Sequence, residues 1–355
     1  MAEKTYHEQV KIDCIVKLRE LQKQLPKFLT EYFRGIENRC APRTMIGYAL
    51  DLKTFFEFIQ ANNRVYRDVN MHDIDISILS NLTAYDIDEY LEHLKYYKKD
   101  GREYTNNERA IKRKLTALRS MYRYFHKNRI IKENPSLQVD MPKLHKKQII
   151  RMDDEEISDF FDVVEKGEKL TKKQLQFHDK FKVRDLAILT LLLGTGIRVS
   201  ECVGINIDDV DYMNDRIKIV RKGGYESFVY YGEEVRKALN DYMDEREFVE
   251  ALEGHEKALF LSSQKRRITV RSVELLVKKY ASAVTGKHIT PHKLRSTYGT
   301  NLYKETGDIY LVADVLGHSD VNTTRKHYAE IEEDRRRSVK DIVVVRKRIN
   351  NQDGE

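Results

Sequence analysis

The chain has no tryptophan, and only three of its 355 residues are cysteines. Cys14, Cys40 and Cys202 are far apart, odd in number and form no Cys-x-x-Cys pair. That pattern indicates neither a disulfide framework nor a zinc site. No apolar run approaches the ~20 residues needed to span a bilayer. The segment after Met1 has no apolar signal core, and neither an internal repeat nor a low-complexity tract is visible. These absences lead to the expectation of a protein of the reducing cytoplasm, without a membrane or metal partner.

What is present describes a globular chain long enough for two domains. Hydrophobic residues make up 41% and aromatics 10%, enough apolar material to exclude disorder. Charged residues reach 34%, with 64 basic against 57 acidic, a net +7 and a pI near 9.0. So small an excess is compatible with a nucleic-acid partner but equally with an ordinary solvated surface. Tyrosine is abundant, at 21, so rarity does not single out any one tyrosine.

Helical spacing of apolar residues predicts a helix over 6–33, a second opening at Pro42 and carrying Tyr48, Leu52, Phe55, Phe56 and Ile59, a third capped by Thr83, and a fourth from Thr105 through Phe125. The first 135 residues therefore read as an all-helical bundle. Pro135, Pro142 and the basic run Lys143-Leu144-His145-Lys146-Lys147 break the pattern and read as a linker, either a solubilising stretch or a strap over a phosphate backbone. A helix begins near Met152, with acids at its positive end, and 181–193 reads as a buried helix. Alternation over Arg216–Val220, a Lys222-Gly223-Gly224 turn and Ser227–Tyr231 predict a hairpin, with Leu259–Leu261 as a third strand. Helices are expected at 270–285, 291–305, 308–316 and 321–338. The fold class is thus mainly α: a helical N-terminal bundle, then an α+β, mostly helical domain with a small antiparallel sheet.

Three distant stretches carry chemistry. In Gly194-Thr195-Gly196-Ile197-Arg198-Val199-Ser200-Glu201 the glycines permit a tight turn, and Glu201, three residues after Arg198, can hold its guanidinium. This is not a dinucleotide loop, because a third glycine is missing and the segment follows a helix. In Pro291-His292-Lys293-Leu294-Arg295 an imidazole suited to proton transfer shares a helix face with a planar fork suited to phosphodiester oxygens. His288 and His292 stand four apart, but Pro291 intervenes and no carboxylate or thiol joins them, so a metal is not expected. In Leu316-Gly317-His318-Ser319, Gly317 is a candidate helix cap, and Tyr328 lies ten residues beyond His318. Each stretch alone is common; an ordinary helix pair, a chance His-x-x-Arg and a structural tyrosine would look the same.

Together and in this order the stretches Gly-Thr-Gly-Ile-Arg198-Val-Ser-Glu201, Lys222-Gly-Gly, Thr-Pro-His292-Lys-Leu-Arg295 and Leu-Gly-His318-Ser, with Tyr328 following, resemble the tyrosine recombinase/integrase family over nearly the whole chain. The resemblance implies a bacterial, site-specific DNA recombinase. Tyr328 attacks the scissile phosphate to form a 3′-phosphotyrosine, Arg198 and Arg295 neutralise the transition state, and Lys222 protonates the leaving oxygen. His292 is the general acid/base, His318 hydrogen-bonds the phosphate and Glu201 supports from behind. It implies no cofactor, since bond energy is kept in the phosphotyrosine. The implied partners are double-stranded DNA with inverted-repeat core sites and a homotetramer in the synaptic complex, or a paralogous recombinase. The implied layout is a core-binding domain over 1–140, a linker over 141–150, a catalytic domain over 151–338 and a tail over 339–355. That tail carries the apolar run Asp341-Ile342-Val343-Val344-Val345 and docks either in trans or in cis. The plan is Xer-like, whereas the ten-residue interval to Tyr328 is similar to many phage and transposon integrases. Chromosome-dimer resolution and mobile-element integration both stay open. Alternatives are a type IB topoisomerase-like nicking and resealing enzyme and a catalytically silent DNA-binding accessory protein. Arg43, Thr44, Lys112, Arg113, Arg266, Arg267 and Arg271 are candidate DNA contacts.

Overall fold

The computed structural model describes residues 5–145, 150–221 and 223–317. The chain divides into two compact units, Met1–Lys147 and Gln148–Glu355.

The first unit begins with α1 (Tyr6–Gln22), capped by Thr5 and Glu8 in a reciprocal box, and α2 (Leu29–Ile36). The single helix expected over 6–33 is thus two. Pro26 supplies no N–H and disfavours helical backbone at Leu25; the chain turns there and buries Leu25 at 1% exposure. Next come α3 (Pro42–Asn62), α4 (Ile78–Asn81) and α5 (Ala84–Lys95), the last capped by Thr83 and Asp86. The unit is not all-helical. A hairpin of β1 (Tyr96–Lys99) and β2 (Arg102–Thr105) follows, in register Lys99↔Arg102. Its two turn residues, Asp100 at φ +49° and Gly101 at φ +71°, fit a turn whose twist matches the strands. The fourth helix, α6 (Glu108–Lys127), begins only after this, capped by Asn107. The core is aromatic, with Tyr32, Phe55, Phe56, Tyr90 and Phe125 fully buried.

The second unit is built on α7 (Asp154–Lys166) and α8 (Lys172–Thr195). α8 extends well beyond the apolar stretch that announces it, because Thr171 and Gln174 cap an earlier, more polar start. A short helix α9 (Val199–Cys202) leads to an antiparallel sheet of β3 (Val210–Asp211), β4 (Arg216–Val220) and β5 (Glu226–Tyr230), in that order. The third strand is therefore Val210–Asp211, not Leu259–Leu261. The latter segment is buried, with one isolated bridge from Leu261 to Arg267 and another from the adjoining Ala258 to Asn206; three apolar residues fit a buried loop as well as a strand. Four helices complete the described unit: α10 (Glu233–Arg246), α11 (Val270–Val284), α12 (Pro291–Thr306) and α13 (Ile309–Leu316). The helix expected over 321–338 lies outside the described residues.

α8 is the spine, with α7, α10 and α12 packed against it and α13 against α12. Buried Asp185 on α8 takes Lys279 Nζ and Tyr280 Oη at 2.9 Å each, tying α8 to α11. This packing brings the end of α8, the first turn of α12 and the end of α13 to one place.

Candidate active site

Two helix ends form the floor of the site. α8 stops at Gly196 (φ +63°) and α13 at Gly317 (φ +61°), both left-handed. The tight turn that the glycines permit is thus the close of α8 at Gly196. Arg198 caps α9 from just outside its first turn.

Arg198 and Glu201 hold each other twice. Glu201 Oε1 accepts from Arg198 Nη1 at 2.8 Å, and Oε2 accepts from the Arg198 backbone N–H at 2.8 Å. Glu201 is 3% exposed, and both its oxygens are directed at this arginine. Arg198 Nη2 donates to the Gly317 carbonyl at 3.1 Å.

Arg295, 4% exposed on α12, joins the same floor. Its Nη1 donates to the Gly196 carbonyl at 2.6 Å and its Nη2 to the Leu316 carbonyl. The two guanidinium groups thus bond successive carbonyls at the end of α13, where the helix dipole is negative. Such acceptors orient a guanidinium without cancelling its charge.

His292 stands one turn before Arg295. Part of its ring faces solvent, yet the surrounding atoms strip away enough water to lower its pKa from the usual value, and positive Lys293, Arg295 and Arg198 push the same way. An imidazole among cations holds its proton less tightly, which favours the neutral form that can accept one.

The structure therefore gathers Arg198, Glu201, His292 and Arg295. Lys222, His318 and Tyr328 lie outside the described residues. Among the described residues no cluster of His, Cys, Asp and Glu could hold a metal, and no helix is long and apolar enough to cross a membrane.

Arg221 also reaches the floor, its Nη1 on the Leu316 carbonyl at 3.0 Å and its Nη2 on the Val315 carbonyl at 3.1 Å. Nothing in the local sequence marks it out, because its partners are 95 and 94 residues away. Several basic residues considered for DNA have protein partners. Arg113 pairs with Asp51 at 2.8 Å, Arg271 with Glu274 at 3.1 Å, and Arg267 donates to the Val203 and Ile205 carbonyls. Arg43, Thr44 and Arg266 are exposed.

Residues 150–335 match the model of the phage integrase family. The chain belongs to that family. It is a tyrosine-type, site-specific DNA recombinase, and DNA is its partner. It is 34% identical over 314 residues to tyrosine recombinase XerC of Caldanaerobacter subterraneus subsp. tengcongensis, covering 85% of this chain and 81% of the relative. It is 29% identical to tyrosine recombinase XerS of Streptococcus agalactiae, covering 87% and 93%. Among solved structures, the XerH site-specific recombinase bound to palindromic difH substrate has a TM-score of 0.65 at 18% identity, covering 96% of this chain and 91% of that one. The Tn1549 transposon integrase in complex with a circular intermediate DNA has 0.60 at 20%, covering 86% and 98%. At these identities the solved structures speak for the fold alone.

Proposed function

We propose that the chain breaks and rejoins DNA strands through a 3′-phosphotyrosine on Tyr328. The observation that carries this reading is the pair of guanidinium groups, Arg198 and Arg295, seated on neighbouring backbone carbonyls, with His292 one turn before Arg295. Two rigid forks side by side suit the non-bridging oxygens of one phosphodiester.

The Tyr328 oxygen attacks phosphorus while His292 takes the phenolic proton. The bond from phosphorus to the 5′ oxygen breaks, and Lys222 gives that oxygen its proton. Arg198 and Arg295 neutralise the charge that gathers on the phosphate, and His318 donates to it. Glu201 holds Arg198. A 5′ hydroxyl from the exchanging strand then attacks the phosphotyrosine and releases Tyr328. Each step swaps one phosphoester for another, so no external energy is needed.

Residues 1–140 form the core-binding half, 141–150 the linker and 151–338 the catalytic half. The exposed Arg43, Thr44 and Arg266 suit phosphate contacts. The substrate is double-stranded DNA with inverted-repeat core sites, bound by a homotetramer or with a paralogous recombinase, in the cytoplasm. The apolar run within 339–355 docks into a neighbouring protomer. Removing 339–355 is expected to abolish cooperative binding to a two-site DNA; unchanged cooperativity would remove the docking idea.

A suicide substrate nicked near the cleavage point tests the chemistry. An SDS-resistant protein–DNA adduct is expected, absent in Tyr328→Phe. Binding without an adduct would favour a silent accessory protein. Relaxation of supercoiled plasmids regardless of sequence would favour a topoisomerase.

A further inference from the structure

Arg221 follows the last residue of β4 and immediately precedes Lys222 in the chain, and its backbone N–H, its carbonyl and both terminal guanidinium nitrogens are engaged. Its backbone N–H donates to the Tyr225 carbonyl at 2.8 Å, and its own carbonyl accepts from the Gly224 N–H at 3.0 Å. Those two bonds close the base of the 221–225 turn. Its guanidinium forks onto the Leu316 and Val315 carbonyls at the end of α13. Arg295 donates to the same Leu316 carbonyl, and Arg198 to the next one. Among the described residues no carboxylate pairs with Arg221, so the helix end alone holds it.

The two glycines of the turn both have left-handed backbone. Gly223 and Gly224 have φ of +99° and +87°, and no atom lies within 4 Å of where a Gly224 side chain would begin. Arg221 is therefore the rigid post from which the turn springs. The fit at the helix end is close: a methyl group on Gly317 would overlap the Arg221 guanidinium.

We propose that Arg221 is a positioning residue for strand cleavage: its guanidinium fork fixes the base of the Lys222 turn to the helix end that also seats Arg198 and Arg295. This rests on the reading above, in which Lys222 protonates the leaving 5′ oxygen. A donor misplaced by about 1 Å can cost roughly 10²-fold in rate.

The test compares single-turnover cleavage of two suicide substrates, one with the natural 5′ oxygen at the scissile bond and one with sulfur in its place. A thiolate departs with its electron pair and needs no proton, so sulfur bypasses a faulty acid. Arg221→Ala is expected to cleave the oxygen substrate about 10- to 100-fold more slowly than wild type, to return to within a few-fold of wild type on sulfur, and to bind DNA normally. Arg221→Lys keeps the charge and stem but cannot fork two carbonyls. It should show a smaller defect with the same recovery, and it decides the matter should the alanine variant fold poorly. Unchanged cleavage of the oxygen substrate, or equal slowing on both, would overturn the role. Equal slowing would mean that Arg221 serves the phosphate itself. Lys222→Ala run alongside separates the two levels: if sulfur does not restore it, the assignment of Lys222 falls and this inference with it, whereas recovery of Lys222→Ala without recovery of Arg221→Ala sinks Arg221 alone.

Discussion

At the scale of single residues, the Arg198–Glu201 and His292–Arg295 pairs are legible in the sequence because each lies three apart on a helical turn. Arg221 is not, because contacts across about ninety residues have no local signature. Glu201 is nearly inaccessible and gives both oxygens to one arginine. Hydrogen bonds to charged groups contribute roughly 1.5–3 kcal/mol, and about 1.4 kcal/mol is tenfold in rate. Glu201→Ala is therefore expected to slow adduct formation by roughly 10- to 100-fold while DNA affinity in a filter-binding assay changes little; undiminished cleavage would show that Arg198 needs no holder. His292 makes a prediction about pH. Its pKa is below the ordinary ~6.5, so the unfolded chain takes up a proton before the folded one does. Its stabilising effect is complete above about 6.5 and is lost as the pH falls through the lower folded value. Cleavage that uses neutral His292 as base should decline on an acid limb centred below pH 6.5. A declining limb centred at or above 6.5, or an identical limb in His292→Asn, would contradict that role.

At the scale of elements, α11, α12 and α13 fall where the sequence places helices, whereas α10 is not anticipated and α8 begins well before the apolar stretch read as its core. The two clear departures in the first half have local causes. Pro26 divides a run whose apolar spacing continues across it. The Asp100-Gly101 turn, a strong hairpin signal, is flanked by Tyr96-Tyr97 and Tyr104, residues that suit strand and helix surface alike. In the hairpin Tyr97 and Tyr104 stack with centroids 5.2 Å apart, a cross-strand pair that only the folded register reveals. Gly196 shows how an element boundary governs the site. Its left-handed backbone disfavours any side chain by about 1–2 kcal/mol, and a methyl there would meet Tyr298 and come within 2.9 Å of Leu316. Gly196→Ala should lower the thermal midpoint by several degrees and weaken cleavage beyond that loss, because Arg295 bonds the carbonyl of this same residue. An alanine variant as stable and as active as wild type would show that the cap tolerates rearrangement.

At the scale of the whole molecule, Arg198 lies about a hundred residues before His292 and Arg295, and only a scaffold that spans the fold brings them together. α8 does so, with α12 laid along it. Net charge says less. A surplus of +7 is small for a DNA enzyme, and Arg113, Arg267 and Arg271 are bound to the protein's own groups. Binding that rests on phosphate contacts from both halves should still weaken steeply with salt, by roughly 10³-fold or more between about 50 and about 200 mM. A dissociation constant that stays flat over that range in a fluorescence titration would mean that few phosphates are touched.

The partners that seat Arg198, Arg221 and Arg295 at the end of α13 belong to the main chain. No point substitution can delete a carbonyl. Mutational drift can disturb this platform through the three donors, through Glu201 that holds Arg198, through the glycines that shape its rims, or through the packing beneath. An engineer wishing to redirect the enzyme to new DNA therefore has a wide margin of replaceable residues around a small set that must be left alone.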